Sequence, residues 1–236
     1  MTLNDQFISN LQTHPHIQKY PHLTPWVGSR YATSKFKKIL LIAESHYLPH
    51  GVTFHRDDAQ WYEGNQNILK EKIEEQATHN KSDGLKFINT SGILKQYAPP
   101  NAIKRFKRGH TIYRNLFDVL NKSYFCHSDK SHSINDVAYY NFFQRPAAKP
   151  GDSIKETVRD VSEAQSMLKY TLNILKPDIV VFVSKKAGKY GKRCIQPQIS
   201  SFITTHPASS WWNRPSKKNN NKSGKQLLID FLTEHL

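Results

Sequence analysis

Four short apolar runs constrain this chain more than any other feature: residues 39–42 (ILLI), 137–143 (VAYYNFF), 179–183 (IVVFV) and 202–205 (FITT). The first and third are almost unbroken in large apolar side chains, the pattern of strands buried on both faces of a parallel sheet; a strand with one wet face alternates instead. Between and after them lie stretches with helical periodicity. Val158, Val161, Leu168, Leu172 and Leu175 trace one stripe that Pro177 ends, and Ser153 followed by Glu156 has the spacing of a capping box before it. Residues 112–120 and 226–235 are further amphipathic segments, and residues 65–78 form a mostly solvent-facing one.

The order is strand, long helical insertion, strand, helix, strand, short basic helix or loop, strand, helix. Such alternation predicts a three-layer α/β/α sandwich around a central four-stranded, mostly parallel sheet, with right-handed crossovers placing helices on both faces. At 236 residues the chain suits a single domain. Residues 1–35, which hold His14, His16, His22 and several prolines, form an N-terminal arm wrapped on that domain, and residues 61–101 form the insertion. The histidine spacing of the arm matches no standard metal site, and no metal or other cofactor is expected. The tract KKNNNKSGK at 217–225 reads as a mobile surface loop.

Charge bears on the partner. Lysine and arginine number 34 against 19 aspartates and glutamates, and none of the acids falls between Asp178 and Asp230. Lys185, Lys186, Lys189, Lys192, Arg193, Arg214, Lys217, Lys218, Lys222 and Lys225 all lie in that interval. A second basic group comprises Lys95, Lys104, Arg105, Lys107, Arg108 and Arg114. Such runs serve as solvated surface or as a polyanion footprint; the long acid-free interval favours nucleic acid, where each cation neutralises a phosphate. No run approaches the roughly 20 apolar residues of a membrane helix. The N-terminus lacks the pattern of a secretion signal, and Cys126 and Cys194 cannot form a disulfide framework, so a monomeric cytoplasmic protein is expected.

Ligands of open α/β sheets bind at the carboxyl ends of the strands. Glu44, Ser45, His46 and Tyr47 follow the first run, Asn141 ends the second, and His206 follows the fourth within THPASSWW. These distant stretches are expected to assemble one polar cluster. Each residue also has a plain structural role open to it: an ion pair for Glu44, a strand-end hydrogen bond for Asn141, a turn for His206.

At these positions the sequence resembles the uracil-DNA glycosylase superfamily. ILLIAESHY is similar to its first motif, of GQDPYH or GEAPG type, THPASSWW to its last, of HPSPLS type, and KPDIVVFVSKKAGK to its third strand. The resemblance covers residues 39–236, with a long unmatched insertion. It implies a base-excision enzyme that flips a deaminated base out of DNA and hydrolyses its glycosidic bond. His206 would donate to the base oxygen as negative charge builds there, Asn141 would read the base edge, and Glu44 would be the carboxylate facing the cationic sugar. Ser45 and Tyr47 would border the base, with Phe54, ahead of Trp61 and Phe143, stacking on it. In the family the loop after the histidine wedges the duplex, which implies DNA contacts for Ser209, Ser210, Trp211, Trp212 and Arg214, with Lys185 and Lys189 beside them.

The sequence departs from the pattern where Ser45 and His46 replace the aspartate and proline of GQDPYH. Glu44 instead matches the glutamate of GEAPG-type members, which often carry a cysteine-bound cluster. A non-catalytic nucleic-acid-binding module of the same fold is the alternative. A serine hydrolase built on Ser45 lacks the glycines of the nucleophile elbow, since Ala43 and Tyr47 stand in their places.

Overall fold

The computed structural model describes residues 3–99, 110–149 and 151–235. Lys104, Arg105, Lys107 and Arg108 of the mid-chain basic group, and the last two positions of the insertion, lie outside the described residues.

Five strands make one sheet: β1 (Trp26–Val27), β2 (Ile39–Ala43), β3 (Val137–Asn141), β4 (Ile179–Phe182) and β5 (Ser200–Ile203), in the order β1-β3-β2-β4-β5. The four expected strands are present and mutually parallel, pairing β3 with β2, β2 with β4 and β4 with β5. The expected count of four is corrected to five. The short strand β1, from the N-terminal arm, pairs antiparallel to β3 through Trp26↔Tyr139 and Val27↔Ala138. Two residues carry too little periodicity to announce a strand. The protein is thus α/β, with a mixed, mostly parallel five-stranded sheet flanked by helices.

Alternation along the strands divides the core in two. Leu40, Ile42, Ala138, Tyr140, Val180 and Phe182 face one side, where they meet Ala164, Met167, Leu168, Leu172 and Leu175 of the helix Val158–Leu175. Ile39, Leu41, Val137, Tyr139, Ile179 and Val181 face the other, against Leu116, Phe117 and Leu120 of helix Thr111–Leu120 and Leu228 and Leu232 of helix Gly224–Thr233. With both faces covered, β2 and β4 are apolar at every position, as their sequences require.

The arm contributes to the first of these cores through Leu11, Ile17, Tyr20, Leu23 and Tyr31. Tyr20 stacks on Trp61 of the insertion with ring centroids 4.2 Å apart. The helix of the insertion is Gln66–Gln76, capped by Asn65, with Leu69 and Ile73 buried and the remaining face wet. The tract at 217–225 is organised by a 3-10 turn, Lys217–Asn219, and an isolated bridge between Ser216 and Lys222.

The cap of helix Val158–Leu175 differs from expectation. Thr157 and Asp160 form the capping box, not Ser153 and Glu156. Asp160 is fully buried and also receives the Arg145 guanidinium and, at 2.9 Å, the Tyr62 hydroxyl. That three-way demand fixes the helix start four residues later than Ser153. Val158, at the first helical position, is consequently 89% exposed and lies outside the apolar stripe.

Candidate active site

The order β3-β2-β4 places β2 between strands to which the chain departs in opposite directions, which opens a crevice at the carboxyl edge of the sheet. A cleft of about 700 Å³ lies there. Glu44, Ser45, Tyr47, Asn141 and His206 all line it, so the three distant stretches meet in one hollow. Past the sheet proper, residues 44–47 run extended beside 143–147: Phe143 N donates to Glu44 O at 2.8 Å and Ala147 N to His46 O at 2.7 Å. This pairing holds the backbone of the first motif rigid.

Glu44 is clamped. Its Oε1 accepts from the Ser153 hydroxyl and from Ile154 N at 3.2 Å, and its Oε2 accepts from the Ser184 hydroxyl at 2.8 Å. Ser184 follows β4 and caps helix Lys185–Gly191 by accepting from Ala187 N. Ser153, which the sequence reads as a helix cap, therefore serves the carboxylate instead. Glu156, its supposed partner, bonds Lys186 Nζ at 2.7 Å and the Tyr190 hydroxyl at 2.9 Å.

His206 stands just past β5. Ala208 N donates to its Nδ1 at 3.2 Å, so the neutral ring carries its proton on Nε2. Burial pushes the imidazole below the ordinary histidine value, and the Glu44 carboxylate pulls it back only in part. The following turn is pinned where Asn115 Nδ2 donates to Pro207 O at 2.7 Å. Nε2 has no partner among the described residues and is not sealed from solvent, which leaves an N–H donor facing the cleft.

Asn141 is oriented by His46. Burial holds the His46 imidazole down to about 4, against the opposing hydrogen bond to the Phe87 carbonyl, so the ring is neutral. Asn141 Nδ2, which can only donate, lies 2.8 Å from His46 Nε2, so Nε2 accepts and the ring proton sits on Nδ1; the Thr90 hydroxyl lies 3.0 Å from the same Nε2. The amide nitrogen of Asn141 thus faces His46. Its Oδ1 has no donor among the described residues and is open to solvent in the cleft.

Other expected site residues are dispersed. Phe54 is 6% exposed and packs on Trp61, away from the cleft lining, because the 3-10 turn Phe54–Arg56 turns it into the core. Trp61 and Phe143, the other candidates for stacking, are fully buried. Trp212, expected at a DNA interface, is 1% exposed and belongs to the core with Leu228 and Leu232. Trp211 is 55% exposed. The two occupy one 3-10 turn, Ser210–Trp212, with three residues per turn, so neighbouring side chains diverge by about 120° and cannot share an environment. Ser210, Arg214, Lys185 and Lys189 are exposed and Ser209 is half-buried.

Sequence reading missed Ser153, Ser184, Thr90 and the Phe87 carbonyl. Only the position of Ser184, after an apolar run and before a small-residue helix start, offered a signal. Among the described residues no group of three His, Cys, Asp or Glu side chains is arranged to hold a metal, and no helix is long and apolar enough to cross a membrane. No protein-family model matches the chain, and no curated protein matches it.

Proposed function

We propose that the cleft binds a flipped nucleobase and that the protein hydrolyses the N-glycosidic bond joining that base to deoxyribose, on a uracil-DNA-glycosylase-like three-layer scaffold. One observation carries the reading: Asn141 Oδ1 as a free acceptor and His206 Nε2–H as a free donor line the same cleft as the Glu44 carboxylate. An acceptor and a donor complement a lactam edge, in which a ring N–H adjoins a carbonyl. Uracil presents N3–H beside its carbonyls, whereas the N3 of cytosine is itself an acceptor and meets Asn141 Oδ1 lone pair to lone pair. A buried polar mismatch of that kind costs about 1–3 kcal/mol.

In this reaction the C1′–N bond breaks and its electron pair leaves with the base. His206 donates from Nε2 to the carbonyl oxygen on which that charge accumulates; a neutral donor suffices, and its proton need not transfer. Glu44, fixed in place by its three donors, lies opposite the positive charge that develops on the sugar. Water then adds to C1′ and releases a proton.

The test is release of free base from uracil-containing oligonucleotides, single-stranded and duplex. Release is expected from the unaltered protein, with His206→Ala slower by about 10²–10³-fold, the usual effect of removing one such donor, and with Glu44→Gln also impaired. No release from any of these substrates, with DNA binding intact, excludes the reaction. A non-catalytic nucleic-acid-binding module is the second reading. The full engagement of the Glu44 oxygens by Ser153, Ile154 and Ser184, and Ser45 at the usual aspartate position, favour it.

A further inference from the structure

Next to the segment that carries His206 lies a second hollow. It encloses about 340 Å³ and is lined by Lys185, Thr205, Trp211, Arg214, Lys217 and Lys218, with Ser216 and Asn219 at its edge. Four of these side chains are cationic, none is acidic, and none of the four has an ion-pair or hydrogen-bond partner among the described residues. Nearby lysines do find acids: Lys186 pairs with Glu156 and Lys222 with Asp230. Four exposed cations around one concavity, with no acid among its lining residues, favour an anion there.

The aromatic wall says what kind of anion. Trp211 and Val158 are the large apolar side chains left exposed among the described residues, and Trp211 lines the cationic hollow. Trp212 is anchored in the core, so the backbone under Trp211 is fixed and its indole is presented rather than merely mobile. Trp211 lines the hollow and is 55% exposed, so its ring is available for a base to stack on. A flat π surface beside phosphate-binding cations is the recurring combination for single-stranded polynucleotides.

Position ties this hollow to the cleft. Thr205 lines the hollow and His206 lines the cleft, and these consecutive residues have Cα atoms about 3.8 Å apart. The two recesses thus meet along one stretch of backbone, Thr205 and His206.

We propose that this hollow is a second nucleotide subsite, which stacks the base next to the flipped one on Trp211 and holds its phosphate with Arg214, Lys185, Lys217 and Lys218, and that the protein accordingly engages single-stranded nucleic acid. The proposal extends the reading of the cleft, but its test is independent of base release.

The experiment titrates the protein with uracil-free oligo-dA, oligo-rA and a duplex of equal length, following tryptophan fluorescence and oligonucleotide anisotropy. Trp26, Trp61 and Trp212 are buried, so quenching reports Trp211. Saturable quenching by a single strand is expected, with the two oligomers telling whether that strand is DNA or RNA. Trp211→Ala weakens single-strand binding about tenfold, in keeping with the loss of one stacked base, while Trp211→Phe retains most of it. Lys217→Ala with Lys218→Ala lowers the slope of log K against log salt by about 0.7 for each phosphate no longer neutralised. Unchanged single-strand affinity in Trp211→Ala overturns the proposal. So does duplex binding that is as tight and as dependent on Trp211, since that marks a wedge. Loss of base release with these responses intact counts against the cleft reading alone.

Discussion

The carboxamide of Asn141 donates from Nδ2 to His46 Nε2 across 2.8 Å, from the end of β3 to the loop after β2. Thr90, in the insertion, places its hydroxyl 3.0 Å from the same His46 nitrogen. Replacing His46 by leucine removes the acceptor and leaves buried donors unpaired. Stability is expected to fall by about 1–3 kcal/mol, and base release to slow through a freely rotating amide. Urea unfolding and the release assay measure the two effects separately; unchanged turnover in a folded H46L protein defeats the orienting role.

The paired tryptophans make opposite predictions. Trp212→Ala empties a core site and is expected to cost about 3–5 kcal/mol. Trp211→Ala removes an exposed ring and is expected to change stability by less than about 0.5 kcal/mol. Thermal melts of the two variants suffice, and comparable losses would contradict the division of labour between them.

Buried histidines dictate a pH dependence. Burial, the largest cause in each case, lowers His16 to about 3 and His46 and His55 to about 4, whereas each titrates near 6.5 when unfolded. Between those limits the unfolded chain binds more protons than the folded one, so stability rises with pH. This contribution is complete above pH 6.5 and is lost as pH falls towards 4. Unfolding near pH 5 should take up about three protons from these groups alone. His14, His22 and His206, also lowered chiefly by burial, act in the same direction. A urea midpoint that stays level from pH 7.5 to 4.5 refutes this.

Arg145 and Asp160 form a bidentate pair, 5% and 0% exposed, that joins the end of the β3 loop to the start of helix Val158–Leu175. Arg145 also donates to His55 O at 3.0 Å and to Lys155 O at 3.0 Å. Asp160→Asn leaves the guanidinium buried without its counter-charge, and a loss of about 3–5 kcal/mol is expected. Because the same segment delivers Ser153 and Ile154 to Glu44, base release should fall with stability. Equilibrium unfolding of D160N provides the check.

Much of the frame was legible without coordinates. The unbroken apolar runs at 39–42 and 179–183 can bury themselves only inside a sheet covered on both faces, and their order fixed which strand ends would carry Glu44, Asn141 and His206. The same local information fails wherever a side chain has rival partners. Ser153 has the right spacing for a cap, yet a carboxylate brought from 109 positions away takes its hydroxyl. Trp211 and Trp212 are identical to any composition argument, and only the turn on which they sit and the helix packed beneath it send one into the core and the other towards solvent. The chain by itself determined its layers and the edge at which Glu44, Asn141 and His206 gather, because hydrophobic periodicity is local. Which polar atoms stay free in the cleft was decided by tertiary structure alone, because a donor is spent or spare only once the distant groups that compete for it have been brought within about 3 Å of each other.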